Sequence, residues 1–154
     1  MATFTQNRTR AARTADAART ADAAPAGPSP AVNRALWTAQ ILLFAFLLFA
    51  SALPKLIGEA STIETFDEIG FGQWFRYFTG VVEAAGAIGL VIPRLAGAAA
   101  TGLIGLMIGA ALTQILVIEP AWALLPVAFG VLFGAIAWQR RARTRELLDG
   151  LLKR

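Results

Sequence analysis

Two charged residues interrupt an otherwise apolar run in the middle of this chain, Arg76 and Glu83. Their spacing is almost two helical turns, so on a helix they share a face, with Thr79 and Gly80 between them. If that helix enters a bilayer at its Arg76 end, the guanidinium lies near the interface and can snorkel to it. Glu83 then lies roughly 13 Å further in, close to mid-bilayer. A lone carboxylate at that depth costs on the order of 3 kcal/mol on insertion scales, so it must face protein, either protonated or hydrogen-bonded. On the next apolar stretch, Thr113 and Gln114 fall between Arg76 and Glu83 in depth. The expected arrangement is a polar ladder of Arg76, then Gln114 or Thr113, then Glu83. Such a ladder can be a ligand or proton site opening outward, or a polar clamp that fixes helix register. For a clamp alone, glutamine at position 83 would serve as well as glutamate.

What is missing narrows the chemistry further. The chain has neither cysteine nor histidine. Disulfides, thiol redox chemistry and iron–sulfur ligation are excluded, and the commonest metal ligand and general base are gone. No metal site is expected, and redox work would need a bound organic cofactor or a partner to carry the electrons. The net charge of +4 invites a nucleic-acid reading. Its arginines flank apolar stretches, however, and membrane topology and anionic lipid explain them more simply. The expected partner is the lipid bilayer and not nucleic acid.

The elements that must position these residues follow from composition. With 56% of residues hydrophobic and 16% charged, the chain has too little polar surface for a soluble domain of 154 residues. Its apolar content is clustered at 35–53, 74–92, 95–118 and 121–138, each about the 20 residues that cross a hydrocarbon core once. The fold class expected is an all-α integral membrane protein, a four-helix transmembrane bundle over residues 34–139. Residues 1–33 carry the hexapeptide Ala-Arg-Thr-Ala-Asp-Ala twice, at 12–17 and 18–23, and then Pro25, Gly27, Pro28 and Pro30. They are expected to form a disordered cytoplasmic tail. Residues 140–154 form a basic tail whose Leu147, Leu148, Leu151 and Leu152 fall on one helical face, suited to the membrane surface.

Within that frame the first span is expected to stop at Pro54-Lys55. Ala50-Ser51-Ala52 also fits a signal-peptide cleavage site after Ala52, but the long polar lead and long apolar run favour a retained helix. In the loop 54–73, Ser61-Thr62-Ile63-Glu64 fits a capping box, with Ile63, Phe66 and Ile69 following at helical spacing before Gly70. This reads as a short amphipathic helix, lying on the membrane or packed on the bundle. The third span's Gly102, Gly105, Gly109, Ala110 and Thr113 are expected to pack against the second span. Pro126 is expected to kink the fourth. Gln40 reads as a packing contact near the inner end of the first.

Orientation comes from the basic residues. Of the 14 lysines and arginines, all but Lys55 and Arg76 lie on one side of a four-span topology. The opposite side holds Lys55 against Glu59, Glu64, Asp67, Glu68 and Glu119. The positive-inside rule then places both termini in the cytoplasm of a bacterial inner membrane. Trp37, Trp74, Trp122 and Trp138 all stand at span ends, as an aromatic belt requires.

The segment from Phe66 to Pro93 resembles the DoxX-like membrane proteins, which share a run here matched by Ile69-Gly70, Trp74, Arg76, Gly80, Glu83, Gly86-Ala87, Leu90 and Pro93. Pro54-Lys55-Leu56 and Met107-Ile108-Gly109-Ala110-Ala111 are also similar to that family, and the resemblance covers about residues 35–138. Family members often carry a histidine where Thr113 or Gln114 stands, so no mechanism using that imidazole transfers to this chain. The family takes its name from a quinone-reducing, thiosulfate-oxidising complex, and other members are parts of membrane redox complexes. The resemblance therefore implies an accessory or quinone-contacting subunit of a membrane redox or stress-response complex, with quinone as ligand and an oxidoreductase as partner. Whether the chain itself catalyses anything, and whether it forms a homo-oligomer, stays open at this point. A small-molecule transporter or binder and a purely structural or regulatory protein are the alternatives. Small four-helix exporters embed a glutamate too, usually in the first helix and in either orientation, whereas Glu83 is in the second span of a strongly biased chain.

Overall fold

The computed structural model describes residues 29–152, so most of the tail expected over 1–33 lies outside the described residues. Helix α1 runs Pro30–Ile57, α2 Ala60–Ile69, α3 Gln73–Val91 and α4 Ala96–Leu116. A 3-10 turn, Pro120–Ala123, leads into α5, Leu124–Leu152. No strand occurs among the described residues. In lipid the backbone must satisfy its own hydrogen bonds, and helices do so within one segment. Three stretches are long and apolar enough to cross a bilayer: Pro30–Ile57, Ala96–Leu116 and Pro120–Gly150. The chain is an all-α membrane protein. Asn33–Arg154 form one compact unit, to which the contacts below belong.

Helix α1 does not stop at Pro54. Phe46–Ala52 is wound as a π-helix, and the Leu53 N–H donates to Leu48 O, five residues back. Proline lacks an N–H and its ring crowds the carbonyl one turn behind it. A wider turn just before Pro54 moves the bonding by one residue and lets the helix pass the proline. The stop comes at Gly58, whose φ of 75° is left-handed, with the Gly58 and Glu59 N–H groups donating to Pro54 O at 3.1 and 3.0 Å. This extra turn carries Lys55 on a helix where a loop was expected.

Helix α2 starts two residues earlier than its capping box would allow. Glu59 occupies the cap position and Ser61 falls inside the first turn, so no side-chain cap bond forms. The threonine hydroxyls bond backwards instead, Thr62 to Glu59 O and Thr65 to Ser61 O, both at 2.8 Å. Its buried Phe66 meets Phe75 of α3 edge-on at 5.8 Å, so α2 packs on the bundle.

Helices α3 and α4 form an antiparallel hairpin across Pro93-Arg94. A Cβ on Gly86 would lie 2.6 Å from Leu103, and one on Gly89 would lie 2.7 Å from Ala99. The core is built from Leu43 and Leu47 of α1, Ala87 and Leu90 of α3, Ala100, Leu103 and Met107 of α4, and Phe133 and Ile136 of α5. The small residues expected to pack α4 against α3 do not do so: Gly102, Gly105 and Gly109 are exposed, with nothing within 4 Å of a Cβ at any of them. Small residues recur on every side of α4, so their spacing does not select a face. The large side chains of Leu103 and Met107 do. Pro126 stands in the first turn of α5, where its missing N–H would have been unpaired anyway, and it does not break the helix. Helix α5 continues without interruption past Trp138 to Leu152.

Gly86→Ala is therefore expected to destabilise the folded chain in detergent by about 1–3 kcal/mol through overpacking. Gly105→Ala and Gly109→Ala should leave stability unchanged or raised. Equal thermal shifts for the two classes would contradict this face assignment.

Candidate functional site

Glu83 is found where its position on α3 demands a partner, and the partner comes from α1. Lys55 Nζ lies 3.0 Å from Glu83 Oε2, with side-chain exposures of 17% and 9% for the lysine and the glutamate. Ser51, one turn before Lys55, donates its hydroxyl to the same carboxylate oxygen at 2.9 Å. Lys55 Nζ also donates to Ser51 Oγ at 2.9 Å and to Ser51 O at 3.2 Å. The ammonium has three N–H bonds, and all three are engaged. A charge pair with every donor satisfied is how a polar group can persist among apolar helices.

Gly80 makes this approach possible. It lies one turn before Glu83 on the same face, and a Cβ there would meet Leu56 at 3.1 Å and the Lys55 Cβ at 3.2 Å. Arg76, 3% exposed, fixes the end of α1 from below. Its Nη1 donates to Lys55 O and its Nε to Gln73 Oε1, the latter at 2.6 Å. A guanidinium at the last carbonyls of a helix both caps them and opposes the negative end of the helix dipole. Helix α3 thus holds Lys55 twice, by its carbonyl through Arg76 and by its ammonium through Glu83.

The residues singled out from the sequence are only partly brought together. Arg76 and Glu83 both reach Lys55, and neither bonds the other. Thr79 is buried, but its hydroxyl donates to Phe75 O and Arg76 O of its own helix. Thr113 likewise donates to Gly109 O. Gln114 Oε1 is buried without a hydrogen-bond partner among the described residues. The ladder expected between α3 and α4 is replaced by bonds between α3 and α1. Sequence reasoning missed Lys55 because it ended the helix at Pro54, and it weighed Ser51 only as part of a cleavage pattern. Their one-turn spacing beside an apolar run was the available signal.

A second polar cluster lies at the opposite end of α3. Gln40 is fully buried and donates to Leu90 O at 2.5 Å. It accepts from Arg140 Nη2 at 3.1 Å, and Arg140 Nη1 donates to Asn33 Oδ1 at 3.0 Å. Gln40 is the packing contact expected, with a buried arginine that the sequence had assigned to a basic tail. An open depression of roughly 650 Å³ on α2, lined by Ala60, Ile63, Glu64, Asp67 and Glu68, contains no residue of either cluster.

Gly80→Val is expected to push α1 off α3 and to lower thermal stability by about 1–3 kcal/mol. Arg76→Gln should cost about 1–2 kcal/mol through loss of the cap on Lys55 O. Unchanged unfolding temperatures in detergent for both variants would show that α1 is not held at this point.

No curated protein and no solved structure matches this chain. One family model does, over residues 38–137, a stretch that includes Gln40, Ser51, Lys55, Arg76 and Glu83. That match takes in most of the bundle and all of the α1–α3 pairing, and the chain belongs to the DoxX-like family.

Proposed function

We propose that this protein is a four-span accessory subunit of a membrane redox or stress-response assembly, and that Glu83 is where it meets a quinol. The observation that carries the reading is the division of labour in the Glu83 carboxylate. Oε2 takes both donors from α1, while no donor among the described residues reaches Oε1. Lys55 has no N–H left for a quinone carbonyl, so the group on offer is an acceptor. An acceptor in apolar surroundings selects a hydrogen-bond donor, and a reduced quinone headgroup is a donor on a lipophilic body. A bound quinone supplies the two-electron chemistry that a chain without cysteine or histidine lacks. The chain's own part is to orient a hydroxyl and hold its proton at Oε1, while an oxidoreductase partner exchanges the electrons.

The topology that goes with this reading has α3 crossing as well. It is 19 residues long, about 28 Å at the helical rise, and its carboxylate is paired. The hydrogen bond from Arg140 to Asn33 brings the start of α1 and the second half of α5 to one end of the bundle, which supports an even number of crossings. The arginines clustered before α1 in the sequence and along the second half of α5 favour the cytoplasm for that end.

The test uses full-length protein in mild detergent and a short-tailed benzoquinone analogue, supplied reduced or oxidised. Saturable thermal stabilisation is expected from the reduced form in preference to the oxidised one. Glu83→Gln should weaken it by about tenfold, the worth of a hydrogen bond to a charged group. The exchange Lys55→Glu with Glu83→Lys should fold through the reversed pair and fail to bind. Equal effects of both redox forms, or undiminished binding by Glu83→Gln, would overturn the reading and leave the pair as a clamp.

A further inference from the structure

Arg140 is 5% exposed, and no carboxylate among the described residues pairs with it. Its two hydrogen bonds go to neutral oxygens, Asn33 Oδ1 and Gln40 Oε1, and its Nε is buried with no partner among the described residues. The half-buried Trp37 ring lies with its centroid 5.4 Å from the guanidinium carbon. A guanidinium has five N–H donors in a fixed fork, and burying its charge without a counter-ion is strongly unfavourable. Neutral acceptors and an aromatic face offset part of that cost and leave the charge itself unanswered.

The surroundings indicate what would answer it. Arg140 sits two residues past Trp138, in the belt where lipid headgroups lie, and exposed Arg141, Arg143 and Arg145 follow it on α5. Gly97 packs its backbone against Arg140 and Thr144 in the first turn of α4, a helix without a side-chain cap. Its N-terminal N–H groups and the positive end of its dipole add to the same field. Phosphate oxygens match the arginine fork and carry the missing charge.

We propose that Arg140 is the anchor of a phosphate site between α1 and α5, and that its occupant is the headgroup phosphate of an anionic phospholipid. The phosphate displaces the Trp37 ring from the guanidinium and takes the Nε donor together with a free N–H of the fork. Exposed arginines draw the lipid in, and Arg140 selects where it stays. This site is independent of the Glu83 reading and lies at the other end of α3.

The test compares the full chain in mild detergent with phosphatidylglycerol, with phosphatidylcholine and with inorganic phosphate, by thermal unfolding and by native mass spectrometry. Phosphatidylglycerol should be retained one per chain and raise the unfolding temperature by several degrees at about 100 times its Kd. Phosphatidylcholine should give neither effect. Inorganic phosphate alone reproducing the shift would move the assignment to a free anion and overturn the lipid as occupant. Arg140→Gln should abolish lipid retention, while Arg141→Gln and Arg145→Gln keep it. If Arg140→Gln does not fold, Asn33→Ala serves instead: it frees Nη1, and the lipid-dependent shift should grow. Loss of retention in equal measure from any of the three arginines would reduce the effect to diffuse attraction and overturn the site. So would an unchanged lipid shift in Asn33→Ala.

Discussion

A carboxylate placed halfway along an apolar helix has to be answered by a neighbouring helix, and in this chain it is answered by Lys55. That requirement organises the half of the bundle around it. Lys55 must stand on a helix, so α1 must continue past Pro54, and the π-helical segment Phe46–Ala52 is how it does so. Helix α1 must come close to α3, so position 80 leaves little room for a side chain. The end of α1 must not fray, and Arg76 holds the carbonyl of Lys55 in its last turn. Each of these features is intelligible alone. Together they serve one charge pair.

The far end of the bundle meets the same constraint with different means. There a buried cation, Arg140, is held by Asn33 and Gln40 with no acid beside it, and Gln40 ties the cluster to α3 through Leu90 O. Between the two polar clusters runs the apolar core of Leu43, Leu47, Leu90, Leu103, Phe133 and Ile136. Helix α1 therefore carries polar contacts near both ends, Gln40 at one and Ser51 with Lys55 at the other, each bonded to α3. In lipid, where apolar contact gives little preference between neighbours, such bonds and close glycine contacts are what fix partners and register.

The legibility of all this in the sequence varied with how local its causes were. Helix α3 was read almost to the residue, because apolar run, Pro93 and flanking charge mark both its ends. The inward face of Glu83 was legible from cost alone, since a carboxylate cannot be left in hydrocarbon. Its partner was not. Proline after an apolar run reads as a stop, and only the widened turn before Pro54 turns Lys55 from a loop charge into a half-buried partner of Glu83. The small-residue stripe of α4 misled for a related reason: Gly102, Gly105 and Gly109 permit close approach without requiring it, and the bulk of Leu103 and Met107 decided the face instead. Arg140 was hidden because α5 carries it outside the apolar run, next to arginines that are exposed. The pairing also changes how Glu83→Gln should be read. Against a neutral partner glutamine would serve as well, but beside Lys55 it leaves an ammonium without its counter-charge.

The fold depends on that coupling between α1 and α3, and a double-mutant cycle measures it directly. Lys55→Met, Glu83→Gln and the double variant would be compared with the parent chain by reversible unfolding in the same detergent. If the pair bridges the helices as described, the double variant is more stable than the sum of the single losses implies, with a coupling of about 1–3 kcal/mol. Losses that add to within about 0.5 kcal/mol would mean that Lys55 and Glu83 do not meet in the folded protein, and the central contact of this structure would be gone.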